Sequence, residues 1–455
     1  MNSPETQHQR MTSAPVPRLL FSLSAPATVG MLVIALYSLA DAYFVSSLGS
    51  QAVAAVGVVF SVSVFIQTIG YTLGMGGGSL LSRALGEKDA PLASEYATVA
   101  LLGAVVAGGL ITLFSNLYQK ELLDFLGCTD SIYPFAQSYA IPLFYSAIPM
   151  CVTFVLSQLL RSEGKAVSAM LGLSLGSLAN ILLDALLIRG LGLGISGASV
   201  ATLLSQCISA LFLLLVYLRG HSAIRLFSGV PLSSIRHIGR ILKNGLPSFF
   251  RQGLSGVATV LFNHAAAPYG EAAISALSIV QRLFLFVFSV CLGIGQGMAP
   301  IVGYNRGDSL LPRAKKAYLQ ASGSAALLLL GLSVPLYLFA PRILGFFRND
   351  SAIVDYGVFA LRGQALVLFT HGIVTCTILF LQSVGYSVRG TLLASARQGL
   401  FFLPLLYFLP RYYGLPGLLA LQPVADALTF LFSFLFLPAI LRFFRRTKQE
   451  KRVDF

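Results

Sequence analysis

The chain has 455 residues, of which 56% are hydrophobic and only 11% charged. Soluble domains carry about 25% charged residues, so a soluble protein is excluded and most of the surface has to face lipid. The net charge of +14 would suit nucleic acid, but the basic residues sit at helix ends and in alternate loops, with no basic stripe interleaved with aromatics; the bilayer is the expected partner, and nucleic acid is not.

A helix needs about 20 apolar residues to cross a bilayer. In chain order such stretches fall at 19–46, 53–82, 92–117, 132–159, 166–189, 193–219, 243–268, 274–301, 315–340, 352–383, 390–410 and 415–441. The polar N-terminus runs straight into the first of them, as an uncleaved span does and a signal peptide does not. Pro26 and Pro247 open the first and seventh helices and are expected to bend them. The run GMGGGS (74–79) lacks the GK[ST] ending of a phosphate loop; close helix packing explains it better. Cys128, Cys151, Cys207, Cys291 and Cys376 fit no metal spacing and read as small apolar packing residues. The expected fold class is all-α integral membrane, with about twelve transmembrane helices.

An even number of spans puts both termini on one side. Of the 31 Lys and Arg, only Lys120, Arg189, Arg342, Arg348 and Arg411 fall on the opposite side, and Arg251, Arg282 and Arg362 fall within spans. The rest, Arg397 and the tail residues Arg446, Lys448, Lys451 and Arg452 included, share the side of the termini. The positive-inside rule makes that side the cytoplasm, in a plasma (bacterial inner) membrane.

The two halves match at an offset of 221 residues: Pro26 with Pro247, Gly49 with Gly270, Gly76 with Gly297, Gly86 with Gly307 and Gly164 with Gly385. Six spans per half give both halves the same orientation, so two six-helix lobes related by a parallel repeat are expected. Residues 1–220 form the N-lobe, 221–242 a cytoplasmic linker and 243–455 the C-lobe. The substrate path then lies between the lobes, and rocking gives alternating access.

Charges inside lipid are costly and functional by default. Asp41, Asp184 and Asp426 sit well inside apolar segments. Asn180 and Asp184 share a face of the fifth helix, as Ala198 and Thr202 do on the sixth; Tyr37 and Ser38 lie one turn before Asp41. All fall in the outer half of the membrane. Two carboxylates, an amide, a hydroxyl and a backbone carbonyl suit a hard cation such as Na+, and two apposed carboxylates would equally share a proton. Asp41 aligns with Phe262 in the other half and Asn180 with Phe401 or its neighbour, so the polar set exists only in the N-lobe. The alternative is a cluster that merely joins helices.

Further polar residues carry weaker signals. Asp426 lies one turn beyond Gln422 and either lines the cleft or braces its helix against Arg251 or Arg282. Arg251 and Gln252 follow Pro247, and Gln281 and Arg282 begin the eighth helix. A buried Arg there repels cations or binds an anionic substrate, or forms a satisfied pair. His371 relays protons or bonds a carbonyl in the core.

The stretch PATVGMLVIALYSLADAYFVSSLGSQAVAAVG (26–57), with GLPSFFRQGLSG (245–256), IGQGMAPIVGYNRGD (294–308) and GLLALQPVADALTF (417–430), resembles multidrug and toxic compound extrusion (MATE) transporters over essentially the whole chain. Within that family it resembles the bacterial DinF-like branch. The resemblance implies a cation site at Asp41, Asn180, Asp184, Ala198 and Thr202, matched residue by residue. It implies Na+ or H+ antiport of bulky, often cationic, amphipathic compounds, with no cofactor beyond the coupling ion. Where the NorM-like branch carries a Glu on the seventh helix, this chain has Ser255, so a C-lobe cation site of that kind is not expected. A monomer is expected.

The competing transport reading is a flippase of lipid-linked precursors, for which three basic residues within spans are few. SRALGEKDAPLA (82–93) does not match the GxxxDRxGRR loop of major facilitator permeases. An enzyme is not expected, since neither HExxH nor a nucleophile elbow occurs.

Overall fold

The computed structural model describes residues 4–220, 222–227, 232–347 and 350–445; Arg348, Arg446, Lys448, Lys451 and Arg452 lie outside them. The regular elements among the described residues are helices, as they must be where hydrocarbon leaves backbone groups no other partner. In the first half these are α1 (Pro4–Ser13), α2 (Val16–Ser46), α3 (Ser50–Gly86), α4 (Ala90–Leu117), α5 (Gln119–Phe125), α6 (Tyr133–Tyr145), α7 (Ala147–Glu163), α8 (Ala166–Asp184) and α9 (Gly194–Leu218). The second half has α10 (Ile238–Ala266), α11 (Glu271–Gly307), α12 (Leu311–Leu338), α13 (Ala340–Phe347), α14 (Ser351–Ser383), α15 (Ser387–Ser395), α16 (Phe402–Ser433) and α17 (Leu437–Arg445).

Among the described residues, nine helices are long and apolar enough to cross a membrane, and the bent pair α6–α7 makes a tenth. Two further spans complete the twelve. The helical run Ser387–Arg445 is 59 residues long and breaks at Gly414, whose φ of 60° and ψ of −140° are non-helical and open to glycine alone. The other is α10, whose Asn244, Arg251, Gln252 and Asn263 make it the least apolar of the long helices.

Where the sequence predicts one helix over 132–159, the chain bends by 48° between α6 and α7. Pro142 inside α6 supplies no N–H and its ring crowds the preceding turn. The Ser146 N–H then divides between the Pro142 and Leu143 carbonyls at 3.1 and 3.0 Å.

The repeat is written into the backbone. Both α3 and α11 have 37 residues, and both α4 and α12 have 28. Positive φ recurs at Gly49 and Gly270, at Lys88 and Ser309, and at Gly164 and Gly385, each pair 221 residues apart, and at Gly194 and Gly414. A non-glycine residue at φ near 60° is uncommon, so the Lys88–Ser309 match marks a turn built twice.

The halves join by crossing pairs of helices: α3 packs on α10, and its counterpart α11 packs on α2. Small residues permit the approach. A Cβ on Gly76 would meet the Ile241 carbonyl, one on Gly245 the Thr72 carbonyl, and one on Gly297 the backbone of Ser24. Hydrogen bonds between the halves cluster at the end of the molecule where the chain begins. Ser79 Oγ donates to the Gln382 carbonyl (2.9 Å), Asn244 Nδ2 to Ser79 Oγ (2.7 Å) and Tyr304 Oη to the Glu163 carbonyl (3.2 Å). There too, Asn305 Nδ2 donates to the Met11 carbonyl (3.1 Å) and Arg313 Nη2 to that of Ala14 (2.6 Å). Toward the other end of the same helices, Phe60, Phe65, Val257 and Leu285 are exposed.

This crossing sets a stability test. Because a backbone carbonyl cannot rotate away, Gly245→Val is expected to cost about 1–3 kcal/mol. Gly57→Ala, with nothing within 4 Å of the added atom, should stay within about 0.5 kcal/mol of the parent. The Tm of detergent-purified protein reads both; equal values would mean the lobes do not meet at Gly245.

Candidate functional site

Three helices build the N-lobe cluster: α2 packs on α8, and α8 on α9, with α6 against α9. Asp184 ends α8, and the next six residues, Ala185–Gly190, form a π-helix. Such a widened turn frees a backbone group from the regular ladder and is frequent at functional sites. Asp184, Asn180 and Ala198 are buried; Tyr37, Asp41 and Thr202 are half-buried and Ser38 is exposed.

The structure links four of these residues in one chain of bonds. With the Asn180 amide turned so that both its ends find partners, Nδ2 donates to Asp184 Oδ2 at 3.2 Å and Oδ1 accepts the Thr202 N–H at 3.3 Å. Thr202 Oγ1 donates to the Ala198 carbonyl at 3.1 Å. Asp41, on α2, acts electrostatically on Asp184, and both acids act on Tyr37. Both carboxylates keep a buried Oδ1 without a hydrogen-bond partner. Leaving a buried acceptor unpaired is costly, so these two oxygens are where a proton or a hard cation gains most. The donor set is all oxygen, the chemistry that suits Na+.

Tyr139, on α6, was not anticipated: it is buried and lies within electrostatic range of Asp41, Asp184 and Tyr37. The sequence holds a usable signal for it. The fourth span enters from the outer side, so a Tyr in its first turns falls at the depth of Asp41.

The C-lobe fills the equivalent positions with rings. Phe262, matched to Asp41, packs against Phe402, next to the position matched to Asn180, at 5.7 Å between centroids.

A second polar cluster surrounds Asp426, and it differs in kind. Oδ2 accepts from Gln364 Nε2 (2.7 Å) and pairs with His371 Nε2 (2.9 Å), while Oδ1 accepts from Arg397 Nε (2.8 Å) and Gln422 Nε2 (3.0 Å). The brace for Asp426 is Arg397, where the sequence offers Arg251 or Arg282. Arg397 sits in the π-helix Ala396–Phe401, inside a span and not in a loop. Its guanidinium lies over the rings of Phe284 (5.1 Å) and Phe288 (5.7 Å), and His371 meets Phe284 edge-on at 4.9 Å. Among the described residues, Gln252, Gln281 and Arg282 bond to neither cluster; Gln252 is half-buried, and Gln281 and Arg282 are exposed.

This satisfied cluster predicts a stability phenotype. Arg397→Met removes the cation and leaves the carboxylate buried among neutral donors, at an expected cost of about 3–5 kcal/mol. Adding Asp426→Asn should recover part of the loss. Thermal unfolding of the two variants checks this, and a double variant no more stable than the single one would count against the pair.

The MatE family matches residues 26–186 and again 247–408, two tandem copies whose starts are as far apart as Pro26 and Pro247. Multidrug export protein MepA of Staphylococcus saprophyticus is 27% identical over 417 residues, covering 91% of this chain and 92% of that one. The protein of the same name from Staphylococcus aureus is 25% identical over 423 residues, covering 93% of each. Among solved structures, an outward-facing multidrug resistance MATE family transporter superposes with a TM-score of 0.89 at 27% identity, covering 96% of this chain and 98% of the other. A MOP superfamily transporter from Pyrococcus furiosus, whose binding pocket is described as reversed in polarity, gives 0.89 at 26% identity with the same coverage. Two in-register copies of one domain account for most of the residues, and the chain belongs to the MatE family of multidrug and toxic compound extrusion transporters.

Proposed function

We propose that the chain is a cation-coupled antiporter that exports amphipathic compounds across the plasma membrane, driven by Na+ or H+ entering at Asp41 and Asp184. One observation carries the reading: two acids from α2 and α8 stand within electrostatic range, each with an unpartnered buried oxygen, beside Asn180, Thr202 and the Ala198 carbonyl. A cluster that only joined helices would use those oxygens, as the one around Asp426 does. The Staphylococcus relatives are named for multidrug export, which favours drug-like cargo.

The positive-inside rule puts both termini in the cytoplasm, so the joined end faces the cytoplasm and the acids lie toward the outside. Residues 1–220 and 243–455 act as the rocking lobes, within a single copy of the chain. With Asp41 and Asp184 charged and empty, substrate enters between the lobes from the cytoplasmic side. The lobes rock; an external cation then neutralises the acids, and α2, α8 and α9 rearrange as substrate leaves. By linkage, cation and substrate weaken each other's binding by the same factor.

The test is transport of one cationic and one anionic fluorescent amphipath in proteoliposomes, with Na+ and pH gradients imposed separately. Wild type is expected to move at least one dye under one gradient. Asp41→Asn and Asp184→Asn should each slow that movement by about tenfold or more. Variants that match wild type under both gradients would make the acids structural and end this mechanism.

A further inference from the structure

Between the lobes, beside the joined end, two arginines stand without a counter-ion. Arg161, at the C-terminal end of α7, is only 3% exposed. One of its nitrogens donates to Gln296 Oε1 of α11 across the lobe boundary, while Nε and Nη2 have no partner. Arg251, on α10 of the other lobe, keeps Nε, Nη1 and Nη2 all shielded from solvent and all unpartnered. Their helices, α7 and α10, both pack on α3, where Tyr71 lies within electrostatic range of both. Among the described residues neither arginine forms an ion pair with a carboxylate.

The groups beside Arg161 share its deficit. Gln158 and Gln296, at 2% and 3% exposed, each leave Nε2 without an acceptor, and both line a small cavity with Arg161, Ser79, Ser82 and Gln382. Every unpartnered atom in this set is a donor. Arg397, by contrast, is paired with Asp426, and Arg83 spends two nitrogens on the carbonyl and hydroxyl of Ser79. A desolvated guanidinium without an anion is strongly unfavourable, and its fork of donors fits a carboxylate, sulfonate or phosphate. Toward Tyr71 the surroundings turn apolar. Tyr71 packs on Phe154 at 4.7 Å between centroids and points its hydroxyl at Met31 Sδ, 3.9 Å away.

We infer that Arg161 and Arg251 form an anion subsite between the lobes, so that the preferred cargo is an amphipath whose apolar body carries a carboxylate, sulfonate or phosphate. This rests on the export reading in taking the space between the lobes as the substrate path. It departs from the family expectation of largely cationic cargo, since an organic cation there would meet two unbalanced like charges. The arginines come from opposite lobes, so a bound anion also holds the lobes together at that level.

The experiment measures binding to the full chain in phosphatidylcholine nanodiscs, with a dansyl fluorophore bearing either a carboxylate or a trimethylammonium tail. Wild type is expected to bind the carboxylate at least about tenfold more tightly. Arg161→Gln and Arg251→Gln should each weaken it about tenfold or more while leaving the ammonium dye within about twofold. Equal or better binding of the ammonium dye by wild type, or folded variants that bind the carboxylate as wild type does, overturns the subsite. Should either variant fail to fold, competition on wild type decides: octyl sulfate displacing the carboxylate dye supports the site, and displacement only by octyltrimethylammonium refutes it. Phosphatidylglycerol doped into the discs separates the sources. Competition assigns the subsite to a lipid anion, and its absence to a soluble one. Carboxylate binding that depends on both arginines, with no gradient-driven transport, would leave the subsite standing and the export reading failed. Transport that fails in the Asp variants, with a preference for the ammonium dye, would do the reverse.

Discussion

A charge held away from water must be paired, hydrated or neutralised, and the polar interior of this chain follows from that constraint. Asp426 meets it completely: four side chains spend their donors on its two oxygens. Asp41 and Asp184 meet it incompletely, each with one oxygen left over, and Arg161 and Arg251 leave donors over in turn. Excess acceptors in one place and excess donors in another cannot cancel when different helices hold them apart. On the two proposals above, what cancels them comes from outside the protein, a cation for the first set and an anion for the second.

The repeat explains why the two lobes can share a frame yet differ in chemistry. Helix lengths, positive-φ turns and the glycine crossings match between the halves, because they depend on backbone geometry and on the absence of a side chain. Polar side chains answer to no such constraint. In the C-lobe the counterparts of the acid cluster close over the Phe262–Phe402 contact, which needs nothing from outside. The proposed rocking calls for lobes of similar frame, and the proposed coupling for an ion site in only one of them.

Much of this was legible from the residues. Periodic apolar runs gave the spans, since hydrocarbon admits little else, and the i, i+4 pairs Asn180–Asp184 and Ala198–Thr202 placed four polar groups on two facing helices. Less legible was anything depending on how helices turn about their axes. Arg397, near the start of the span at 390–410, counted among the charges on the side of the termini, yet it sits in the π-helix Ala396–Phe401 and bonds Asp426. Arg161 also counted as a cytoplasmic charge, because its place at the end of the fourth span says nothing about which way its side chain reaches. Tyr139 lies in α6, ahead of the bend to α7, and a hydropathy pattern registers neither bends nor which way a ring faces.

The helix that carries Asp41 also carries the lobe contact. On α2, Ser24 Oγ donates to the Ile294 carbonyl of α11 at 3.3 Å, and Gly293 and Gly297 of α11 pack against the backbone of Thr28 and Ser24. Pro26 lies between those two residues and deprives the helix of one internal bond, so α2 is least constrained along its own axis where it touches the other lobe. Asp41 is fifteen residues further on, about 22 Å at 1.5 Å per residue. In the proposed mechanism, an ion bound at one end of this continuous helix favours whichever lobe arrangement lets the helix place its acid best. The contact at the other end then pays the difference, and no chain of intermediate side chains is needed between them. Pro247 is the counterpart of Pro26, but α10 has Phe262 where α2 has Asp41, so the C-lobe helix repeats the proline without the acid.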